Sequence, residues 1–175
     1  MGFGIILGIL SYLLPAIVLF FAVWLVTITF MKNQKMKREA EKQAAYRETL
    51  LPLKLQASER LILLLERITP SRAVNRALEP GMSAFTFQMG LLKNIREEYE
   101  HNVAQQLYVS SSCWSLIRAA KEEVIRQVNI AAAENGASAG AAEMAALLIE
   151  NWSTLAPDPI QAAIDQVKQE INFKF

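Results

Sequence analysis

The first thirty-one residues, Met1 to Met31, carry no charged side chain and are rich in Ile, Leu, Val and Phe, and Lys32 ends this run abruptly. A helix needs about 20 predominantly apolar residues to cross the hydrocarbon core of a bilayer, where a charge is costly. The run 1–31 is therefore predicted to be a transmembrane anchor. A cleavable signal peptide would have a basic n-region and a short apolar core, and because this run has neither, we expect it to stay attached.

Four basic residues follow the run closely: Lys32, Lys35, Lys37 and Arg38. Basic residues are enriched on the cytoplasmic side of membrane spans, so the N-terminus is predicted to lie outside and residues 32–175 in the cytoplasm. Close to anionic headgroups each of these charges contributes about 1 kcal/mol to membrane association. The four side chains are predicted to contact the membrane surface.

Within the anchor, Gly4 and Gly8 have the spacing of a small-residue face. In membranes such faces let two helices approach closely. Glycine is also common in spanning helices for reasons of composition alone. Packing of a second helix against Gly4 and Gly8 is therefore one of two interpretations.

The chain after the anchor reads as helical throughout. Residues 32–51 are good helix formers without Gly or Pro, and they are predicted to form a juxtamembrane stalk that Pro52 interrupts. Residues 52–175 show no convincing strand alternation, so the fold class is predicted to be all-α, a cytoplasmic helical bundle. The predicted helices cover about 53–68, 70–78, 84–109, 110–135, 138–156 and 158–171.

Each predicted helix has an apolar face that is expected to be buried. The predicted core residues recur every three or four positions and are Ala57, Leu61, Leu64, Leu65 and Ile68; Phe85, Met89, Leu92, Tyr99, Val103 and Leu107; Trp114, Ile117, Ala120, Val124, Val128 and Ala131; Ala142, Ala145, Ala146, Ile149 and Trp152; Ile160, Ala163, Ile164, Val167 and Ile171.

Helix starts are predicted where Ser, Thr or Asp precedes an apolar periodic segment. The predicted N-caps are Thr69 before Pro70, Ser83, the serines 110–112, Ser138, and Asp158 before Pro159 with a box-like Gln161.

Composition argues against several functions. Eighteen basic residues balance seventeen acidic ones, so no nucleic-acid partner is expected, because phosphate binding needs a basic surplus. The single cysteine, Cys113, cannot form an intramolecular disulfide and is predicted to be a small buried residue in a reducing compartment. Phosphate-binding glycine loops and nucleophile elbows are absent from the sequence. No enzymatic activity and no cofactor are expected.

One weak metal-site signal remains. Glu98 and His101 have the Glu-x-x-His spacing of di-iron bundles, with Glu97 beside them, but such a site needs two of these motifs. Only a symmetric dimer could supply both, so the simpler interpretation makes His101 a polar bundle residue.

Phe173 and Phe175 follow the last helix. Two interpretations stay open, in which they bind a partner or pack back on the bundle.

Five blocks of the soluble segment are distinctive: LPLKLQASERL (51–61), LERITP (65–70), EPGMS (79–83), EHN (100–102) and QQLYVS (105–110). On these blocks, most of the chain resembles an uncharacterised family of small, single-pass inner-membrane proteins of Bacteroidota. It implies a bacterial inner-membrane protein with a cytoplasmic helical domain, and it brings no known activity. In such a membrane the N-terminus, predicted from the basic residues to lie outside, would be periplasmic. It also suggests a candidate partner surface of polar helix residues: Gln56, Glu59, Arg60, His101, Asn102, Gln105 and Gln106.

Three functional hypotheses remain. The first is a non-enzymatic, membrane-anchored interaction or scaffold protein, an accessory or structural subunit of an inner-membrane assembly, whose partners are lipid and other subunits or a second copy. The second is a metal- or small-ligand-binding bundle that uses Glu98 and His101 across a dimer. The third is a membrane-surface adaptor that works through residues 32–38.

Overall fold

The computed structural model describes the backbone of residues 2–136 and 139–172, and the side-chain surroundings of residues 17–136 and 139–171. Regular structure in these ranges is helical, apart from one isolated β-bridge between Ser83 and Gly140. The elements are α1 (Gly2–Ile68), α2 (Pro70–Ala77), α3 (Ala84–Asn102), a 3₁₀ helix (Val103–Tyr108), α4 (Ser111–Glu134), α5 (Ala141–Ser153) and α6 (Pro159–Asn172). The predicted all-α class is therefore confirmed for the described part of the chain.

The chain divides into two compact units, Met1–Leu51 and Pro52–Phe175. The predicted interruption at Pro52 is wrong, because helical backbone continues from Gly2 to Ile68. Proline removes one N–H donor from a helix and frees the carbonyl four residues earlier. Pro52 and Glu48 are both exposed, so water can bond the freed carbonyl. The helix therefore tolerates a proline at position 52.

Helix α4 is the central element of the second unit. It packs against α3, α5 and α6. The predicted core face of α4 is confirmed from Ile117 to Ala131, while Trp114 is half-buried. The predicted core face at the end of α1 is also confirmed, since Leu61 and Leu64 are fully buried. The predicted face of α6 is confirmed as well, although Ile171 is only half-buried.

Two predicted faces are wrong. On α3 the buried side chains are Phe87, Leu91, Leu92, Ile95 and Asn102, whereas four members of the predicted stripe are exposed: Phe85, Met89, Val103 and Leu107. On α5 the buried side chains are Ala141, Met144, Ala145 and Leu148, whereas Ala142, Ala146 and Ile149 are exposed. Both helices carry apolar residues on two sides, so periodicity alone does not identify the side that packs.

The observed caps follow the prediction at three helices. The Ser83 hydroxyl accepts from the N–H of Thr86 at 3.1 Å, and the Ser110 hydroxyl accepts from the N–H of Cys113 at 3.1 Å. The Asp158 carboxylate accepts from the N–H of Ile160 at 2.8 Å. Each bond satisfies a backbone donor that the first helical turn leaves free.

Thr69 occupies the N-cap position before Pro70 as predicted, but its predicted side-chain cap bond is wrong, and so is the predicted capping-box role of Gln161. The Thr69 hydroxyl donates to the carbonyl of Leu65 at 3.0 Å, at the end of the preceding helix. The Gln161 amide donates to Asp165 one turn further along the same helix, at 2.8 Å. Ser138 lies outside the described residues, and α5 begins at Ala141 with Gly140 in the N-cap position.

Candidate membrane anchor and interaction surfaces

The described part of the apolar run, residues 17–31, is not covered by the other described residues. Every residue from 17 to 31 is exposed, including Phe20 at 71% and Val26 at 69%. In water each such side chain would forgo about 1.5–3 kcal/mol of burial free energy. Within the described residues, α1 is the single helix that is long and apolar enough to cross a membrane. A helix that served as the core of a soluble domain would be buried instead.

The two hydroxyls in this run are satisfied within the helix. Thr27 donates to the carbonyl of Val23 and Thr29 to that of Leu25, both at 2.7 Å. An unsatisfied hydroxyl in hydrocarbon would cost several kcal/mol, roughly 4–8 by water-to-cyclohexane transfer. These bonds make the run compatible with a lipid environment.

Lys32, Lys35, Lys37 and Arg38 lie on α1 directly after this run, and all four are exposed. Their side chains are free to reach lipid headgroups or a partner. Gly4 and Gly8 lie in the helical backbone of α1, but their surroundings fall outside the described side chains.

Glu98 and His101, the two residues of the Glu-x-x-His pair, differ in burial. The half-buried Glu98 carboxylate accepts from Arg67 Nη1 at 2.9 Å, and His101 is exposed. Glu97 lies 3.8 Å from Lys93 Nζ. Across residues 17–136 and 139–171, no three His, Cys, Asp or Glu side chains come together as a metal-binding group.

The residues of the predicted partner surface differ in how much of each side chain is exposed. Gln56, Glu59, Arg60, His101 and Gln106 are exposed, and Gln105 is half-buried. Asn102 is 9% exposed, and its amide donates to the carbonyl of Glu98 at 2.8 Å. This amide therefore closes the end of α3 and is unavailable to a partner.

A polar joint that sequence reasoning missed connects α6 to the start of α4. The Glu170 carboxylate accepts from the Ser110 backbone N–H at 3.0 Å and also from the Ser110 hydroxyl. The same hydroxyl caps α4 through the N–H of Cys113. A carboxylate at a helix N-terminus is favoured by the helix dipole. Ser110 and Glu170 are sixty positions apart in the sequence, so no local pattern indicates this pairing.

Next to this joint the thiol of Cys113 is fully buried. Burial, with the negative charge of Glu170 as the second cause, raises the pKa of the Cys113 thiol to about 11. The thiolate is the reactive form of cysteine. Cys113 is therefore a protonated, structural residue at neutral pH.

A shallow depression of about 400 Å³ lies between the loop 78–82 and the residues 140–143. Two carboxylates of the same charge line it, Glu79 and Glu143, and Glu143 already accepts from the N–H of Gly140 at 3.0 Å. The other lining residues are apolar side chains or glycine. The depression offers no convergent set of polar groups of the kind that fixes a small ligand.

The outer side of α3 combines apolar and charged residues. Phe85 is 72% exposed and Met89 49%, and Leu107 in the following 3₁₀ helix reaches 80%. Between them lie exposed charges: Lys93, Arg96, Glu97 and Glu100. Isolated exposed apolar residues are common, but residues that recur at helical spacing form a surface.

Comparison with known proteins gives one match. A family model described as a family of unknown function matches residues 4–173, nearly the whole chain. No curated protein and no solved structure matches the chain. The expectation of an uncharacterised family is confirmed. The chain belongs to this family, DUF7935.

Proposed function

We propose that this protein is a non-enzymatic, membrane-anchored interaction protein, an accessory or structural subunit of an inner-membrane assembly in Bacteroidota. The single observation that carries the proposal is the apolar run 17–31, which is helical, uncovered by the rest of the chain and followed at once by four exposed basic residues. Lipid is the environment in which such a helix is stable.

The proposed orientation places the N-terminus in the periplasm and the helical bundle in the cytoplasm. Its support is the positive-inside bias, with Lys32, Lys35, Lys37 and Arg38 on the bundle side of the span. The bundle then provides the folded surfaces on which other subunits or a second copy dock.

A ligand-binding role through Glu98 and His101 has less support. The Glu98 carboxylate already accepts from Arg67 Nη1 at 2.9 Å, so it would have to exchange this partner for a ligand. We therefore favour the subunit hypothesis.

The test is to extract the full-length protein from its native membranes in a mild detergent and to measure the mass and composition of the particle. We expect it in the membrane fraction after a high-salt and alkaline wash, and then in a stoichiometric complex with itself or with other membrane proteins. Recovery from the soluble fraction would contradict the anchor. Recovery from the membrane as a lone monomer would contradict the subunit role.

A further inference from the structure

The exposed side of α3 has a regular order along its length. Phe85 and Met89 occupy its first turns, Lys93 and Arg96 follow, and Glu97 and Glu100 come next. These positions recur at three- and four-residue spacing, so they share one side of the helix. Val103 and Leu107, exposed by 41% and 80%, continue the surface in the 3₁₀ helix. We call these eight residues the α3 stripe.

The α3 stripe has apolar residues at both ends and opposite charges in the middle, with the basic pair before the acidic pair. In a second α3 stripe aligned antiparallel, Lys93 lies opposite Glu100 of the other copy and Arg96 lies opposite Glu97. The same alignment places Phe85 opposite Leu107 and Met89 opposite Val103, within about one residue. The two charge pairs are centred between residues 96 and 97, and the two apolar pairs are centred on residue 96, half a residue away.

A parallel alignment in register would instead place Lys93 against Lys93 and Glu100 against Glu100. Like charges directly opposite each other are destabilising. The Lys93–Glu97 pair within one chain does not prevent the exchange of partners, because both side chains are more than half exposed and such pairs contribute little. Charge order therefore selects the antiparallel alignment.

We propose that the α3 stripe binds the α3 stripe of a second copy of this chain, antiparallel and about a two-fold axis between Arg96 and Glu97. A two-fold contact joins the same surface of both copies, which this self-complementary order satisfies. This proposal rests on the proposed function, because it identifies one partner of the interaction protein as a second copy of the chain. Eight side chains are fewer than the roughly 20–30 residues a side of a stable interface, so the dimer is weak and reversible.

The test traps this dimer through introduced cysteines in the detergent-solubilised full-length chain, with Cys113→Ala to remove the native thiol. Arg96→Cys lies beside the proposed axis and is expected to form a disulfide-linked dimer under mild oxidation. Phe85→Cys alone is expected to form no such dimer, because the two substituted positions would lie roughly 35 Å apart at 1.5 Å per helical residue. A mixture of Phe85→Cys and Leu107→Cys chains should form the mixed dimer.

Gln169→Cys, an exposed position on α6, measures random collision and serves as the matched control. A yield for Arg96→Cys no higher than that of Gln169→Cys overturns the proposal. So does efficient trapping of Phe85→Cys with itself, which would indicate a parallel contact.

Charge reversal tests the alignment itself, with Arg96→Cys as the reporter. Lys93→Glu alone and Glu100→Lys alone each place like charges opposite each other twice, and each is expected to lower the trapping yield at least about threefold. The double reversal restores the attraction and should restore the yield. Failure of the double reversal to rescue would exclude the proposed pairing, and unchanged tryptophan fluorescence would show that all variants fold.

The two proposals fail separately. Trapped dimers of a chain recovered from the soluble fraction would refute the anchor and leave the stripe contact intact. A complex with other membrane proteins, without self-trapping, would refute the stripe contact and leave the subunit role intact.

Discussion

At the scale of single residues, Glu170 is the side chain whose role is easiest to test. It bonds both the N–H and the hydroxyl of Ser110, and it thereby joins the last turns of α6 to the first turn of α4. A hydrogen bond to a charged group contributes about 1.5–3 kcal/mol, but this carboxylate is only half-buried and solvent reduces its effect.

We expect Glu170→Ala to lower the free energy of unfolding of the bundle by about 1 kcal/mol, because both bonds to Ser110 are lost. The measurement is urea unfolding followed by tryptophan fluorescence of the full-length protein in detergent. Gln169→Ala, at an exposed neighbouring position, is the control and should change stability by less than about 0.5 kcal/mol. Equal effects of the two substitutions would exclude a specific role for the joint.

The buried thiol of Cys113 gives a second test, through pH. Its pKa is raised from 9.0 to about 11, so the folded protein keeps a proton that the unfolded chain releases. The stability contributed by this proton is fully present below pH 9 and is lost as the pH rises from about 9 to about 11. We expect a maleimide to react with folded protein far more slowly than with urea-unfolded protein, up to about pH 9. Rapid reaction of the folded protein at pH 8 would contradict the buried, protonated thiol.

At the scale of elements, the helices differ in how well their sequences predict packing. Helix α6 has one apolar side, and the four residues Ile160, Ala163, Ile164 and Val167 are buried as predicted. Helix α3 has two apolar sides, one with Phe85 and the other with Phe87. Local spacing cannot choose between them, since the choice depends on which side meets the other helices. Sequence therefore predicts the helical class and three of the caps, but not which sides of α3 and α5 pack.

The two phenylalanines of α3 provide a matched prediction. Phe87 is fully buried and Phe85 is 72% exposed. Phe87→Ala should lower the free energy of unfolding by about 3–5 kcal/mol through lost burial and a cavity. Phe85→Ala should lower it by less than about 1 kcal/mol while it weakens trapping of the dimer. The measurement is urea unfolding of both variants. A larger loss of stability for Phe85→Ala than for Phe87→Ala would indicate that Phe85, not Phe87, lies in the core.

At the scale of the whole molecule, the basic cluster after the apolar run is expected to set the orientation in the membrane. Replacing Lys32, Lys35, Lys37 and Arg38 by Gln should yield mixed or inverted orientations, because the charge difference across the span is lost. The measurement is labelling of Gln169→Cys, in the Cys113→Ala background, by a membrane-impermeant reagent. Labelling of intact cells should be absent with the native basic cluster and should appear with the four substitutions.

Neutralising two exposed basic residues of the bundle, Arg118 and Lys168, tests whether total charge rather than its position matters. We expect this control to leave the orientation unchanged. Labelling of intact cells that is the same in all variants would show that the cluster does not determine topology.

The polar groups of residues 17–31 bear on how the proposed span would recognise a neighbouring helix. The hydroxyls of Thr27 and Thr29 are engaged by their own helix, so the indole N–H of Trp24 is the remaining side-chain donor among these residues. With this indole as the one side-chain donor left among residues 17–31, neighbouring helices in lipid would recognise this run mainly by shape and close packing. A chimera with an unrelated apolar segment in place of residues 17–31 would then keep any partner that is chosen outside the bilayer, and would lose one that is chosen by shape within it.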